Sequence, residues 1–99
     1  MALQLSKNTT PILVQGTDIE LTEIYVRIVF TCNLDGSITV TYKTYQNADA
    51  YLAGKEISTD VINMTYNYVL LPTETQSLDI ALLYMQNEFI QLGYNATIV

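Results

Sequence analysis

The sequence predicts an α+β domain: an antiparallel β-sheet of about four to six strands, built round a central hairpin and packed against one C-terminal α-helix. Three observations predict it. Residues 21–32 and 38–45 alternate apolar and polar side chains with a period of two. Residues 75–92 instead repeat apolar side chains at steps of three and four. The first period marks a strand with one face turned to a core, and the second an amphipathic helix. Between the two alternating segments lies Asn33-Leu34-Asp35-Gly36-Ser37, whose chemistry joins residues 21–45 into a β-hairpin.

The turn fixes the register of that hairpin. A two-residue loop at Asp35-Gly36 would set Thr31 opposite Val40, a solvent-face residue against a core-face one. Directly opposite residues share a face, so that register fails. A three-residue loop, Leu34-Asp35-Gly36, pairs Cys32 with Ile38, Phe30 with Val40 and Ile28 with Tyr42, and every pair agrees. This is a type I turn with a G1 bulge, and Gly36 takes the left-handed position where a Cβ is penalised.

The other elements follow along the chain. Within residues 1–15, Leu3–Ser6 and Pro11–Val14 are short apolar pieces on either side of Lys7-Asn8-Thr9-Thr10. They read as an N-terminal arm or as short edge strands, since Pro11 cannot donate to a central ladder. Gly16-Thr17-Asp18 turns into the first long strand. After the hairpin, Asn47 is placed to cap a brief helical turn, Ala48–Ala53, and Gly54 to end it. Residues 61–70 form a further strand, with Ile62, Met64, Tyr66, Tyr68 and Leu70 on one face, and Pro72 stops it. In the helix over 75–92 the core stripe is Leu78, Ala81, Leu82, Met85, Phe89 and Leu92. Thr75 or Ser77 supplies its N-cap, Asp79 sits near the positive end of its dipole, and Gly93 follows it as a C′ residue. The apolar tail, Tyr94–Val99, is expected to return as a short strand.

Ninety-nine residues make a single domain with a modest core. An apolar content of 49% excludes intrinsic disorder, and no apolar run approaches the ~20 residues of a membrane helix. The opening Met1–Lys7 lacks the basic and long apolar regions of a secretion signal, so synthesis in a reducing cytosol is expected. The single cysteine, Cys32, falls on a core face and reads as a small buried hydrophobe. Net charge is −6, and the four cations, Lys7, Arg27, Lys43 and Lys55, are spread along the sequence. That argues against binding to nucleic-acid phosphates, which needs clustered basic residues.

The chain contains no histidine, which removes the commonest general base and metal ligand. Catalysis of Ser-His-Asp or Cys-His type, and zinc sites of Cys/His type, are therefore excluded within it. Gly16, Gly36, Gly54 and Gly93 lie far apart and form no phosphate-cradling loop. Asp18, Glu20 and Glu23 cluster at the start of the first strand, but their spacing matches no calcium loop, and they read as a solvated strand end. Glu56 and Asp60 read the same way. No catalytic, cofactor-binding or metal-binding residue is assigned.

The unusual statistic is eight tyrosines against two phenylalanines and no tryptophan. Tyr42, Tyr66, Tyr68 and Tyr84 fall on core-facing positions. Tyr25 and Tyr45 fall on the opposite sheet face, and with Leu21, Val29, Val61 and Val69 they make it mixed where a free face should be polar. The sheet is then expected to close on itself or to be covered by another subunit. Tyrosine suits an interface because it offers apolar area and a hydroxyl together. The candidate interface is thus Leu21, Tyr25, Val29, Tyr45, Val61 and Val69, with Leu3 and Leu5 on an N-terminal arm and Ile98 and Val99 at the other end.

The opening Met1–Lys7, the strand Ile38–Tyr45, the stretch Ala48–Lys55 and the C-terminal helix with its short tail carry one further reading. With its richness in Asn, Thr and Tyr, its low charge and its lack of His and Trp, the whole chain resembles the small structural proteins of tailed bacteriophage particles. The resemblance implies a non-enzymatic virion component, tail or baseplate, connector or capsid-associated, made in the host cytoplasm and working by protein–protein assembly. Its partners would be other phage structural proteins or further copies of itself, with no nucleic acid, membrane, cofactor or small-molecule substrate. The alternative is a small acidic phage inhibitor that mimics nucleic-acid charge to block a host enzyme. Mimicry wants a dense acidic stripe, and only Asp18, Glu20 and Glu23 are clustered.

Overall fold

A computed structural model describes residues 2–7, 10–61 and 65–99. In chain order its elements are β1 (Leu3–Lys7), β2 (Ile12–Leu13), β3 (Glu20–Leu21), β4 (Glu23–Cys32), β5 (Ile38–Tyr45), α1 (Ala48–Leu52), β6 (Glu56–Ile57), β7 (Tyr66–Tyr68), α2 (Leu78–Gln91) and β8 (Tyr94–Ile98). The main sheet runs β6-β5-β4-β1-β8, with β7 pairing farther along β5, while β2 and β3 form a separate two-stranded piece. Every pairing is antiparallel. With α2 packed on the sheet, the architecture is the α+β arrangement that the two periodicities predict.

The hairpin has the expected register, Cys32 opposite Ile38, Phe30 opposite Val40 and Ile28 opposite Tyr42. Asn33 N–H donates to Ser37 O at 3.0 Å and Gly36 N–H to Asn33 O at 3.1 Å, with Gly36 at φ +88°. Asp35 locks the bend, accepting from the Ser37 hydroxyl at 2.6 Å and the Ser37 N–H at 3.0 Å. These bonds favour the charged carboxylate and hold its pKa below the ordinary value. Because the folded value is the lower one, the stabilisation is present above the ordinary carboxylate pKa and is lost as pH falls through the folded pKa. Asp35→Ala is therefore expected to lower the melting temperature at neutral pH. The gap to the parent should close in acid, as thermal melts across a pH series will read.

Of the two N-terminal pieces, Ile12–Leu13 is a short strand of the separate two-stranded piece, as an edge strand would be, whereas Leu3–Lys7 is neither an arm nor an edge. β1 lies inside the sheet, Leu3 opposite Val26 on one side and Ile98 on the other, Leu5 opposite Ile24 and Ala96. The alternation Leu3-Gln4-Leu5-Ser6 explains why: its two leucines reach the core and are fully buried. The first arm is also shorter than 21–32, because the chain bends at Thr22 and Leu21 pairs with Ile12 instead. Of the strand expected over 61–70, Tyr66–Tyr68 pairs with Val40–Ile38. Ile62, Asn63 and Met64 lie outside the described residues.

Both helices start and stop as their capping residues direct. Asn47 Oδ1 accepts from Ala50 N–H at 2.8 Å at the start of α1, and Gly54 follows its end at φ +71°. Ser77, not Thr75, caps α2, its hydroxyl accepting from Ile80 N–H at 3.3 Å. Ala81, Leu82, Met85 and Phe89 form the buried stripe. Leu92 does not belong to it: it is the C-cap residue, at the end of the helix, and is exposed.

The core sits between that stripe and Leu3, Leu5, Ile24, Val26, Ile38 and Val40 of the sheet. Phe89 meets the Tyr42 ring edge-on at a centroid distance of 5.2 Å and the Tyr94 ring at 5.9 Å. Tyr68 stacks on Tyr84 at 4.8 Å and donates to the Met85 sulfur at 3.5 Å. Burial raises the Tyr42 and Tyr68 pKa values well above the ordinary phenol value. Gln76 ties the hairpin turn to the start of α2, its amide donating to Asn33 O at 2.7 Å and Ser37 O at 2.8 Å. Cys32 departs from expectation. It is the last residue of β4, beside the turn, where the described chain leaves it exposed.

Candidate functional site: an open strand edge beside the helix

The second sheet face is covered in part by the chain itself. Tyr25 and Tyr45 stand opposite each other on β4 and β5. Tyr51 of α1 packs on both, at centroid distances of 5.8 Å from Tyr25 and 5.2 Å from Tyr45. Tyr45 is thereby buried and Tyr25 half-buried. Of the two covers expected, closure into a barrel or sandwich is not seen among the described residues; a five-residue helix covers the aromatic pair. Beyond it the face carries Arg27, Val29 and Thr31 on β4, paired with Lys43, Thr41 and Thr39. Two cations far apart in sequence thus meet side by side. Like charges opposite each other on a sheet are unfavourable, and the Arg27 guanidinium lies over the Tyr51 ring at 4.5 Å, which offsets part of that cost.

A different feature is open for a partner. Among the described residues β8 pairs only with β1, so its other side is a free strand edge. Ala2 and Val99 exchange both of their backbone hydrogen bonds, each at 2.9 Å. Bonded and non-bonded pairs alternate in an antiparallel ladder. Asn95 and Thr97 therefore turn their backbone groups toward β1, and Tyr94, Ala96 and Ile98 turn theirs outward. Gln86 of α2 marks this edge, its amide donating to the outward carbonyl of Ala96 at 3.0 Å.

That bond also places the helix. Leu83 and Ile90 lie three residues before and four after Gln86, so they share its flank of α2 and stand beside the edge. They are 49% and 51% exposed, although they are large and apolar. Glu88 is on the opposite flank, facing the Tyr66 and Tyr68 hydroxyls, whose ionisation its charge opposes. Strand β8, Tyr94-Asn95-Ala96-Thr97-Ile98, carries no charge, no proline and no glycine. Edge strands are usually guarded by one of those devices. Of the ten acidic residues only Asp79 falls on this flank of α2.

The ten residues expected at an interface are distributed accordingly. Leu3, Leu5 and Val61 are in the core and Tyr45 lies under Tyr51, so none of the four can serve as a free surface. Leu21 and Ile98 are half-buried against the core, and Tyr25 is half-covered by α1. Val29, Val69 and Val99 are exposed, at 51%, 87% and 51%, on β4, just after β7 and just after β8. Only Ile98 and Val99 belong to the open edge. The sequence pattern does not single out Leu83 and Ile90. Their available signal is that both fall outside the stripe Leu78-Ala81-Leu82-Met85-Phe89, on a helix that is apolar nearly all round.

Asp18, Glu20 and Glu23 are all exposed, and among the described residues no three acidic or sulfur side chains are grouped so as to hold a metal ion. No described helix is long and apolar enough to cross a membrane. No family model, no curated protein and no solved structure matches the chain.

Proposed function

We propose that this protein is a non-enzymatic structural subunit of a bacteriophage particle, in its tail or baseplate, connector or capsid, and that it works by protein–protein assembly. The observation that supports this reading is the open, uncharged edge of β8 with Leu83 and Ile90 exposed beside it. A strand edge offers main-chain donors and acceptors that another chain can complete, and the apolar flank adds burial to that pairing. The Asn-, Thr- and Tyr-rich composition that likens the chain to phage structural proteins supplies the setting. Its partners are other structural proteins of the particle or further copies of itself, and its site of action is the virion.

Quantitative mass spectrometry of particles purified from the source of this sequence tests the reading. The expected result is this chain at many copies per particle. Its absence from particles, with the chain abundant in the infected cell, overturns the virion role.

A further inference from the structure

We propose that the open edge of β8 pairs with the same edge of a second copy of this chain, antiparallel about a two-fold axis at Ala96. The inference rests on the assembly reading above and names the partner. The strand is symmetric about its centre in the pairing it offers. Antiparallel pairing of β8 with itself about Ala96 sets Ala96 opposite Ala96 and Tyr94 opposite Ile98. All of these residues turn their N–H and C=O groups outward, so each pair can exchange both hydrogen bonds. An aromatic ring opposite a β-branched residue is a favourable cross-strand pair.

The side chains fit the same operation. Tyr94, Ala96 and Ile98 share the core face, half-buried beside α2. A two-fold axis perpendicular to the sheet keeps both helices on that face, one on each side of the new strand pair. The small Ala96 residues on the axis leave space above them, and Leu83 and Ile90 of each helix border it. Strand pairing alone buries little against the roughly 1,200 Å² at which specific interfaces begin. The apolar helix flank is what extends the contact. Gln86 does not block it, because the Ala96 carbonyl has two lone pairs and can accept from Gln86 and from the partner N–H together.

Charge selects this edge for self-association. Two copies at −6 each repel least where they meet away from their carboxylates. β8 is uncharged, and its flank of α2 carries Asp79 alone. The other side of the sheet offers no equivalent. There β5 is paired in part by β6 and in part by β7, and Glu56 and Lys43 lie close to that boundary.

Sedimentation velocity over a wide concentration range tests the proposal, with the parent chain and two variants. The parent is expected to pass from monomer to dimer and to stop there. Ala96→Pro removes the outward N–H and leaves the bonds to β1 in place, because those belong to Asn95 and Thr97. The substitution acts twice in a two-fold pair, so dimerisation should weaken by about thirtyfold. Ile90→Glu, at an exposed helix position that tolerates substitution, places two like charges across the axis and should weaken it comparably; it reads the interface even if Ala96→Pro perturbs the fold. A parent that stays monomeric throughout overturns the proposal, as does a mass that keeps growing with concentration, or a dimer that Ile90→Glu leaves intact. A monomeric chain still found at many copies in particles overturns the self-pairing and leaves the assembly role standing.

Discussion

Phe89→Ala should lower the stability of the domain by about 3–5 kcal/mol, the range for emptying a large aromatic from a closed core. Phe89 is 1% exposed and is the largest fully buried side chain among the described residues. Its ring contacts Tyr42 on β5 and Tyr94 on β8, so it fastens the helix to strands on both sides of the sheet's centre. Neither tyrosine ring can fill the space without leaving its own place. A domain of this size has about 5–15 kcal/mol in total, and the melting temperature should fall by about 15–30 °C. Denaturant unfolding followed by circular dichroism measures the loss. Leu83→Ala, six residues earlier on the same helix, is the control: its side chain is half in solvent, and the change should stay within about 0.5 kcal/mol. Equal losses at the two positions would contradict the assignment of Phe89 to the core and Leu83 to the open flank.

The contrast between Phe89 and Leu83 also shows what the sequence could and could not reveal. Local chemistry was legible in large part. Gly36 and the phase of its two strands fix one register, and Asn47, Ser77, Gly54 and Gly93 mark helix ends without reference to the rest of the chain. Long-range pairing was not. Leu3-Gln4-Leu5-Ser6 alternates as an interior strand must, yet four residues carry too little signal to say that two strands flank them. The second sheet face misled for a related reason. Tyr25 and Tyr45 do require a cover, but the cover is Tyr51, whose ring crosses over only because α1 turns back on the sheet. The candidate site was least legible of all. An open edge depends on which strands remain unpaired once the whole sheet has formed, and no single segment of sequence carries that.

Leu5→Ala discriminates most directly between the two places the N-terminal segment could occupy. On a solvated arm the substitution would change stability by less than about 0.5 kcal/mol, as surface positions do. In the interior of the sheet it should cost about 2–5 kcal/mol, because the lost methyl groups leave a cavity under α2 that the surrounding strands cannot close. Leu5 is fully buried, opposite Ile24 on β4 and Ala96 on β8. The consequence reaches the proposed interface, since among the described residues β1 is the one strand that pairs with β8. Leu5→Ala should therefore speed amide exchange at Asn95 and Thr97, whose N–H groups point to β1, more than in the β4–β5 hairpin. Hydrogen exchange read residue by residue would show it. Loss of protection confined to β1 and β8 would mean that the strand offering its edge to a partner is seated by Leu3 and Leu5 from behind. These two residues would then serve the interface without touching it, their place being inside the sheet and not on an arm reaching out from it.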